Sequence, residues 1–413
     1  MSERPEPDDH ADPIAPFEPR DGVPLVIEDE AALRDFADRL AAGSGPLAVD
    51  AERASGYRYG QRAYLVQVRR EGSGTALIDP IAVPDLAPIQ AATVGVEWIL
   101  HAATQDLHCL AEVGLSPSAL FDTELAGRLL GRERVSLAAL VASELGQVLE
   151  KGHGATDWSL RPLSAAQLRY AALDVELLAE LRDVLDQALV EAGKRAIAAE
   201  EFDALLSFAP RARGEDEWRR TSGIHRLRKP RALAIVRELW LARDDIARRR
   251  DIAVGRILPD AAIVAAAHAA PADADALAAL PEFRGRGASR YLREWWQGVA
   301  RALALPAADL PAAAPPPSGP PQPRSWPDRD PVAAARLEAA RSGLAAIAQT
   351  LGMPTENVLS PDTVRRLCWE PPADGDVATA LARMGARPWQ VAACCEPLLA
   401  ALATTPPVDA TGQ

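Results

Sequence analysis

SAAQLRYAALDVELLAEL, residues 164–181, reads as a helix with one residue out of place. Ala165, Leu168, Ala172, Leu177, Leu178 and Leu181 recur at helical spacing, and Tyr170 and Asp174 lie four residues apart on the edge of that stripe. A carboxylate turned inward is costly without compensation. Either a basic side chain partners Asp174 and its role is structural, or Asp174 joins other acids in holding a cation. Ser164 is placed as the N-cap, and the helix is expected to run on to about residue 190.

Working back from this helix, strand-like runs dominate. PLVIED (24–29) reads as a short strand and 30–42 as a helix with Leu33, Phe36 and Leu40 inward. PLAVDAE (46–52), AYLVQV (63–68), TALIDP (75–80) and VEWILHA (96–102) read as further strands, the last followed by a helix over 104–113. Strands first, then strands alternating with helices, imply a mixed sheet with helices packed on it. From Phe121 the pattern turns helical, over 122–130 and 136–145, and the polar loop EKGHGATDWSLRPLS leads into the opening helix. A further helix over 196–208 closes a first domain, 24–210. Residues 1–23, acidic and Pro-rich, are expected to form a disordered tail.

Downstream the character changes. Between 211 and 256 there are 14 Arg and Lys against 7 acids, a local net charge of +7. This stretch opens a small all-helical unit, 211–305. A linker over 306–330 follows, with the run PPPSGPPQP expected to be extended and semi-rigid. A last helical unit, 331–404, has helices at 332–351, 361–367, 376–384 and 388–402.

Length and composition bound the function classes. A chain of 413 residues calls for about two to four domains. The net charge of -13 argues against whole-molecule attraction to nucleic acid and leaves local patches open. Of the 45 basic residues only Lys151, Lys194 and Lys229 are lysines, and with the abundant Ala and Pro this fits high-GC coding, so arginine richness carries no functional weight. The four cysteines include no CxxC pair and are read as reduced thiols in a cytoplasmic protein. The acidic amino terminus is unlike a signal sequence, no apolar run is long enough to span a membrane, and no GxxxxGK[ST] loop supports a helicase.

Three acidic features remain. Asp50-Ala-Glu52 ends an apolar strand, so the period of two puts both carboxylates on one face, where they repel unless a cation lies between them. Surface strands carry such pairs by chance. Asp106, in ILHAATQDLHCLAEV, falls in the first turn of a helix that directly follows a strand; favouring the helix dipole is its bland role. Tyr170 with Asp174 is the third, and an amphipathic tyrosine beside a solvated acid is the structural alternative.

As a set, these features resemble the DEDD superfamily of 3′-5′ exonucleases in its tyrosine subgroup: Asp50 and Glu52 match the first motif, Asp106 the second, and Tyr170-x-x-x-Asp174 the third. VDAERASGYRYGQRAYLVQV, LIDP, ILHAATQDLHCL, FDTELAGRLLG and TDWSLRPLSAAQLRYAALDVELL are most similar to the ribonuclease D branch. The basic unit resembles its helicase-and-RNase-D C-terminal (HRDC) domain, and 331–404 is assigned as a second HRDC-like domain. The resemblance spans about 24–305. It departs locally where Arg53 and a Tyr-rich loop follow Glu52.

The resemblance implies an α/β catalytic domain with a ribonuclease H-like mixed sheet flanked by helices, followed by one or two small all-α domains. It further implies a metal-dependent 3′-5′ exoribonuclease that hydrolyses phosphodiesters with two divalent ions, Mg²⁺ or Mn²⁺ given hard oxygen ligands. Asp50 would bridge both ions, Glu52 and Asp174 complete one, Asp106 hold the second, and Tyr170 orient the attacking water. Asp122 and Thr123 in FDTEL are placed behind these ligands, with an N-cap role for Asp122 equally open. Lys151, Trp158 and Arg161, and in the basic unit Arg226, Arg228, Lys229 and Arg231 beside Trp218, are candidate nucleic-acid contacts; a Trp core anchor, an Arg salt bridge and a solvated helix face are the structural alternatives. Gln67 is a further candidate contact, whereas His101 and His108 are read as packing residues. The partner implied is RNA with a free 3′ end, tRNA precursors included, with no membrane and no obligate protein partner. The alternatives are a DNA-directed exonuclease and a catalytically silent RNA-binding adaptor.

Overall fold

The computed structural model describes residues 17–150, 152, 154–211, 213–313 and 319–404. Lys151 and residues 1–16 of the expected tail lie outside the described residues.

The strand-like runs form one mixed sheet. Its members are β1 (Val26–Ile27), β2 (Ser44–Arg53), β3 (Ala63–Glu71), β4 (Gly74–Ile78), β5 (Glu97–Leu100) and β6 (Ala119–Asp122), in the order β1-β4-β3-β2-β5-β6. β3 runs antiparallel to both β2 and β4, while β5 and β6 are parallel to β2. The first helix, α1 (Glu30–Ala42), starts where expected: Asp29 accepts from the Ala32 amide, and Leu33, Phe36 and Leu40 are buried. The remaining helices of this part are α2 (Ala87–Ala92), α3 (Leu107–Glu112), α4 (Thr123–Leu129), α5 (Leu137–Leu145), α6 (Ala165–Glu176), α7 (Leu178–Glu191) and α8 (Arg195–Leu206).

Two features differ from the sequence reading. FD at 121–122 ends a sixth strand, with Asp122 opposite Leu100, instead of opening a helix; its short run lacks a period of its own. The helix expected from 164 to about 190 is broken at Leu177. Glu176, 1% exposed, anchors the break by accepting from the Arg20 amide and pairing with Arg69 at 3.2 Å. The break lets α6 lie across β2, β3 and β4 while α7 turns along β2 and β5.

Residues 17–23, read as part of the tail, are pinned to the domain. The Phe17 amide donates to the Val148 carbonyl at 2.7 Å, and Glu18, Arg20 and Asp21 pair with Arg169, Glu180 and Arg69.

Downstream, helices Pro230–Arg250, Asp260–Ala269 and Leu292–Ala304 enclose a core of their own around Trp218, Leu233, Ile263, Phe283 and Trp295. The last unit behaves differently. Its helices Pro331–Leu351, Pro361–Trp369, Val377–Arg383 and Pro388–Leu402 bury Leu337, Leu344, Leu367 and Leu398 in the same hydrophobic cluster as the sheet residues Leu47, Val49, Val66 and Phe121. Trp326, inside the expected linker, is fully buried in this cluster and tilts against Trp369 at 4.9 Å. Two polar ties reinforce the junction. Trp389 donates from its indole to Glu201 at 2.8 Å, and Lys194 donates to the Leu129 and Gly352 carbonyls at 2.6 and 3.3 Å.

Candidate active site

β2 carries the first two acids to the middle of the sheet. Asp50 and Glu52 face the same way, opposite Gln67 and Leu65 of β3, and a register shift follows at Arg53. α6 crosses this face and sets Asp174 against them, one turn beyond Tyr170. Oxygens of Asp50, Glu52 and Asp174 all come within 4.8 Å of one another. Asp106 completes the set from the turn between β5 and α3. It lines the same cleft, of about 460 Å³, as these acids and Tyr170.

That turn is held by Asp122, expected from sequence to stand behind the acids. Asp122 accepts from the amides of Ala102 and Ala103 at 3.1 and 2.8 Å, and from Glu124 and Leu125, which it N-caps. Ala102 has a φ of 59°, a left-handed conformation costing about 1 kcal/mol in a residue with a Cβ. The four bonds to one carboxylate fix this strained corner, and with it the direction in which Asp106 enters the cleft. Thr123 acts nearby: its hydroxyl donates to the Leu100 carbonyl and meets His101 Nδ1 at 2.9 Å. Burial holds the His101 imidazole down at about 4, so it is neutral at physiological pH.

Electrostatics make the cluster unstable as four free anions. Burial pushes the Asp50 carboxyl up to about 6, against the Ala51 amide and Arg53. Glu52 is pushed up to about 10, by burial first and then by the charges of Asp50, Asp174 and Asp106. Asp106 and Asp174 are raised well above the carboxylate range, again by burial and then by Asp50. Such a set is relieved by protons or by cations. The clustered acids offer hard oxygens, with no Cys or His in the group, which suits a hard divalent cation. Tyr170 is bonded to Asp174, and burial followed by the neighbouring acids raises its hydroxyl, so it remains protonated.

Arg53, noted from sequence only as a departure, has a role here: its guanidinium approaches Asp106 at 3.8 Å and it lines the cleft. Its position next to Glu52 on a strand was the available signal.

Several expected nucleic-acid contacts lie elsewhere. Trp158 is fully buried among Tyr64, Leu65 and Leu77, a core anchor. Arg161 pairs with Asp79 at 2.6 Å and donates to the Tyr64, Trp158 and Leu160 carbonyls, which locks the loop before α6. Arg231 donates to the Ala302 and Leu305 carbonyls and so closes the end of helix Leu292–Ala304. Gln67 is fully buried and cannot reach a polynucleotide. Arg226, Arg228 and Lys229 are exposed on the basic helical unit, away from the acid cluster in the lining of the cleft.

The loop that follows Arg53 joins the cleft to that unit. Ser55 and Gly56 line the cleft, and the residues just beyond are clamped. Tyr59 donates to Asp244 at 2.9 Å and accepts from Arg213, whose guanidinium lies over its ring. Asp251 accepts from the amides of Tyr59 and Gly60, and Arg256 donates to the Gly56 carbonyl while stacking on Tyr57 at 4.1 Å.

Comparison with known proteins agrees with this geometry. Residues 24–190 match the family model of a 3′-5′ exonuclease, 232–299 that of the HRDC domain, and 319–402 that of a 3′ to 5′ exonuclease C-terminal domain. The chain is 36% identical over 300 residues to ribonuclease D of Acidiphilium cryptum, covering 70% of this chain and 74% of that protein. It is 34% identical over 301 residues to ribonuclease D of Gluconacetobacter diazotrophicus, with the same coverage. Among solved structures, a protein from Bifidobacterium adolescentis superposes with a TM-score of 0.87 at 39% identity, over 94% of this chain and 99% of that one. Escherichia coli RNase D shares the fold, with a TM-score of 0.69 at 24% identity over 92% and 98% of the two chains. No helix among the described residues is long and apolar enough to cross a membrane. From the acids on β2, the strained turn behind Asp106 and the tyrosine on α6 to the HRDC unit docked on the cleft's rim, this chain belongs to the ribonuclease D family and is a 3′-5′ exoribonuclease.

Proposed function

We propose that Asp50, Glu52, Asp106 and Asp174 together hold two divalent cations, Mg²⁺ or Mn²⁺, at which nucleotides are removed from RNA 3′ ends, tRNA precursors among them. The observation that carries this reading is the convergence of Asp50, Glu52 and Asp174 oxygens within 4.8 Å, in one cleft with Asp106. When bound, such cations would make hydroxide available by lowering the pKa of water and would neutralise charge on the phosphoryl oxygens.

The residues divide the remaining work. Asp50 stands in the cluster with Glu52 and Asp174, and its charge raises the carboxyls of Glu52, Asp106 and Asp174 alike, which fits a ligand that both cations would use. Glu52 and Asp174 belong to one half of the set. Asp106, oriented by Asp122 and by Arg53, belongs to the other. Tyr170 keeps its proton, and its hydroxyl orients the attacking water from beside Asp174. The neutral His101 adds no charge to the cleft wall. The exposure and charge of Arg226, Arg228 and Lys229 on the basic unit support a role for them in meeting the phosphates of the RNA body.

The test is degradation of matched RNA and DNA oligonucleotides with free or blocked 3′ ends, in Mg²⁺ and in EDTA. RNA with a free end is expected to shorten from that end in Mg²⁺ only. Asp50→Ala and Asp174→Asn should lose turnover while remaining folded. Activity persisting in EDTA or in Asp50→Ala would overturn the cation assignment, and equal rates on a tRNA precursor and on unrelated RNA would overturn the substrate assignment.

A further inference from the structure

Gln67 is the buried polar side chain that the chemistry so far leaves idle. It stands in the middle of β3, fully buried, and neither Nε2 nor Oε1 has a hydrogen-bond partner among the described residues. Burying an amide without partners is unfavourable, and protein interiors rarely tolerate it. Its surroundings show what could engage it. In the sheet register Gln67 lies directly opposite Asp50 on β2 and opposite Leu77 on β4. Residues paired across an antiparallel ladder share a face, with Cβ atoms about 4.5–5.5 Å apart. On its own strand the same face holds Leu65 and Arg69. Leu65 and Leu77 are apolar, and Arg69 is already engaged by Glu176, Asp21 and Thr75. In the row across the three strands, Asp50 is therefore the one neighbour with an acceptor to offer.

We infer that Gln67 is a positioning residue for Asp50: its Nε2 donates to the Asp50 carboxylate when the acid cluster holds cations, and fixes the orientation of that carboxylate. Carboxylates that ligate metals are themselves held by hydrogen bonds from behind. Asp122 does this for the turn bearing Asp106, and the sheet supplies Gln67 for Asp50. The indole N–H of Trp158, buried in the layer that contains Leu65 and Leu77, also lacks a partner among the described residues and is a donor of the kind that Oε1 needs. A glutamine suits the position because it adds no charge to a cluster already crowded with carboxylates.

This inference rests on the cation reading of the acid cluster, and the experiment separates the two. Mn²⁺ binding to the full-length protein is measured by calorimetry, with thermal unfolding of the metal-free protein alongside. Gln67→Met removes the amide at similar volume. It is expected to keep or raise the melting temperature, because an unbonded amide is lost from the core, and to weaken Mn²⁺ binding by about 10- to 100-fold. Unchanged Mn²⁺ affinity in a folded Gln67→Met protein overturns the positioning role. A wild-type protein that fails to bind Mn²⁺ overturns the cation reading itself. A measurement on the wild type guards against a misfolded variant: with ¹⁵N-labelled glutamine side chains, the Gln67 amide signal should move on addition of Mg²⁺, and a static signal refutes the contact.

Discussion

Tyr59→Phe tests how firmly the HRDC unit holds the rim of the active site. The substitution keeps the ring beneath Arg213 and removes the hydroxyl that donates to Asp244 at 2.9 Å and accepts from Arg213 at 2.6 Å. Hydrogen bonds to charged groups contribute about 1.5–3 kcal/mol. Tyr59 is half-buried and Arg213 exposed, so water competes for these groups and about 1 kcal/mol is the appropriate figure. That is about a fivefold shift in the local docking equilibrium. The readout is hydrogen exchange at the Tyr59 and Gly60 amides, which both donate to Asp251 at 3.2 and 3.3 Å and are freed only when the loop lifts from the helical unit. Exchange at both should quicken about fivefold, while amides in the interior of β3 keep their protection. Asp244→Ala should quicken exchange at least as much, since it also ends the 3.1 Å pair with Arg213, and the double variant should fall short of additivity because both changes break the Tyr59–Asp244 bond. Unchanged exchange at Tyr59 and Gly60, or strictly additive effects, would refute the clamp.

Three further outcomes follow from the geometry. Lys194→Met should lower the unfolding free energy by about 2–4 kcal/mol, since it strips a charged donor from the Leu129 and Gly352 carbonyls; an unchanged denaturation midpoint would refute the tie. Asp79 gives a pH signature. Burial would raise its carboxyl, but the bond from Arg161 and the amides of Ile81 and Ala82 outweigh it and leave the group below its ordinary range. Its contribution is therefore complete above the unfolded carboxyl value of about 3.9 and fades as pH falls through the lower folded value, so the stability gap between wild type and Asp79→Asn should close in that window. Finally, Asp122→Ala releases Ala102 and Ala103 and leaves the cluster of Asp50, Glu52 and Asp174 in place; kcat should fall at least tenfold with the fold retained, and a wild-type kcat would deny Asp122 its part in aiming Asp106.

The acid set was legible because each member falls on a strong local pattern. Asp50 and Glu52 obey the period of a strand, Tyr170 and Asp174 that of a helix, and Asp106 the turn between the two. Side chains whose roles depend on distant partners were not. Nothing near Trp158 or Arg161 distinguishes a core anchor and a carbonyl clamp from RNA contacts; the difference lies in Leu77, Asp79 and Tyr64, about eighty to a hundred positions away. Arg231 likewise meets its carbonyls some seventy residues later. The break at Leu177 was hidden because its apolar stripe continues smoothly through it, while the buried Glu176 beside it meets Arg69, a partner far away in the chain. Gln67 reads in isolation as a polar residue on a strand, and only the register sets it opposite Asp50.

The shared core of the sheet and the last helical unit has a consequence for how the chain is made. The core around Trp218 and Trp295 belongs to consecutive residues and can close as soon as they leave the ribosome. The nuclease part is synthesised first, yet Phe121, Leu129 and Phe202 share their cluster with Trp326, Leu344 and Leu398, which come last. Until those residues emerge, an apolar flank of the nuclease stays open to water, the kind of surface that chaperones bind and that aggregates recruit. Assembly therefore runs out of chain order, with the middle unit finished before the first. Expression strategies that stop after the HRDC unit remove the piece that closes the enzyme.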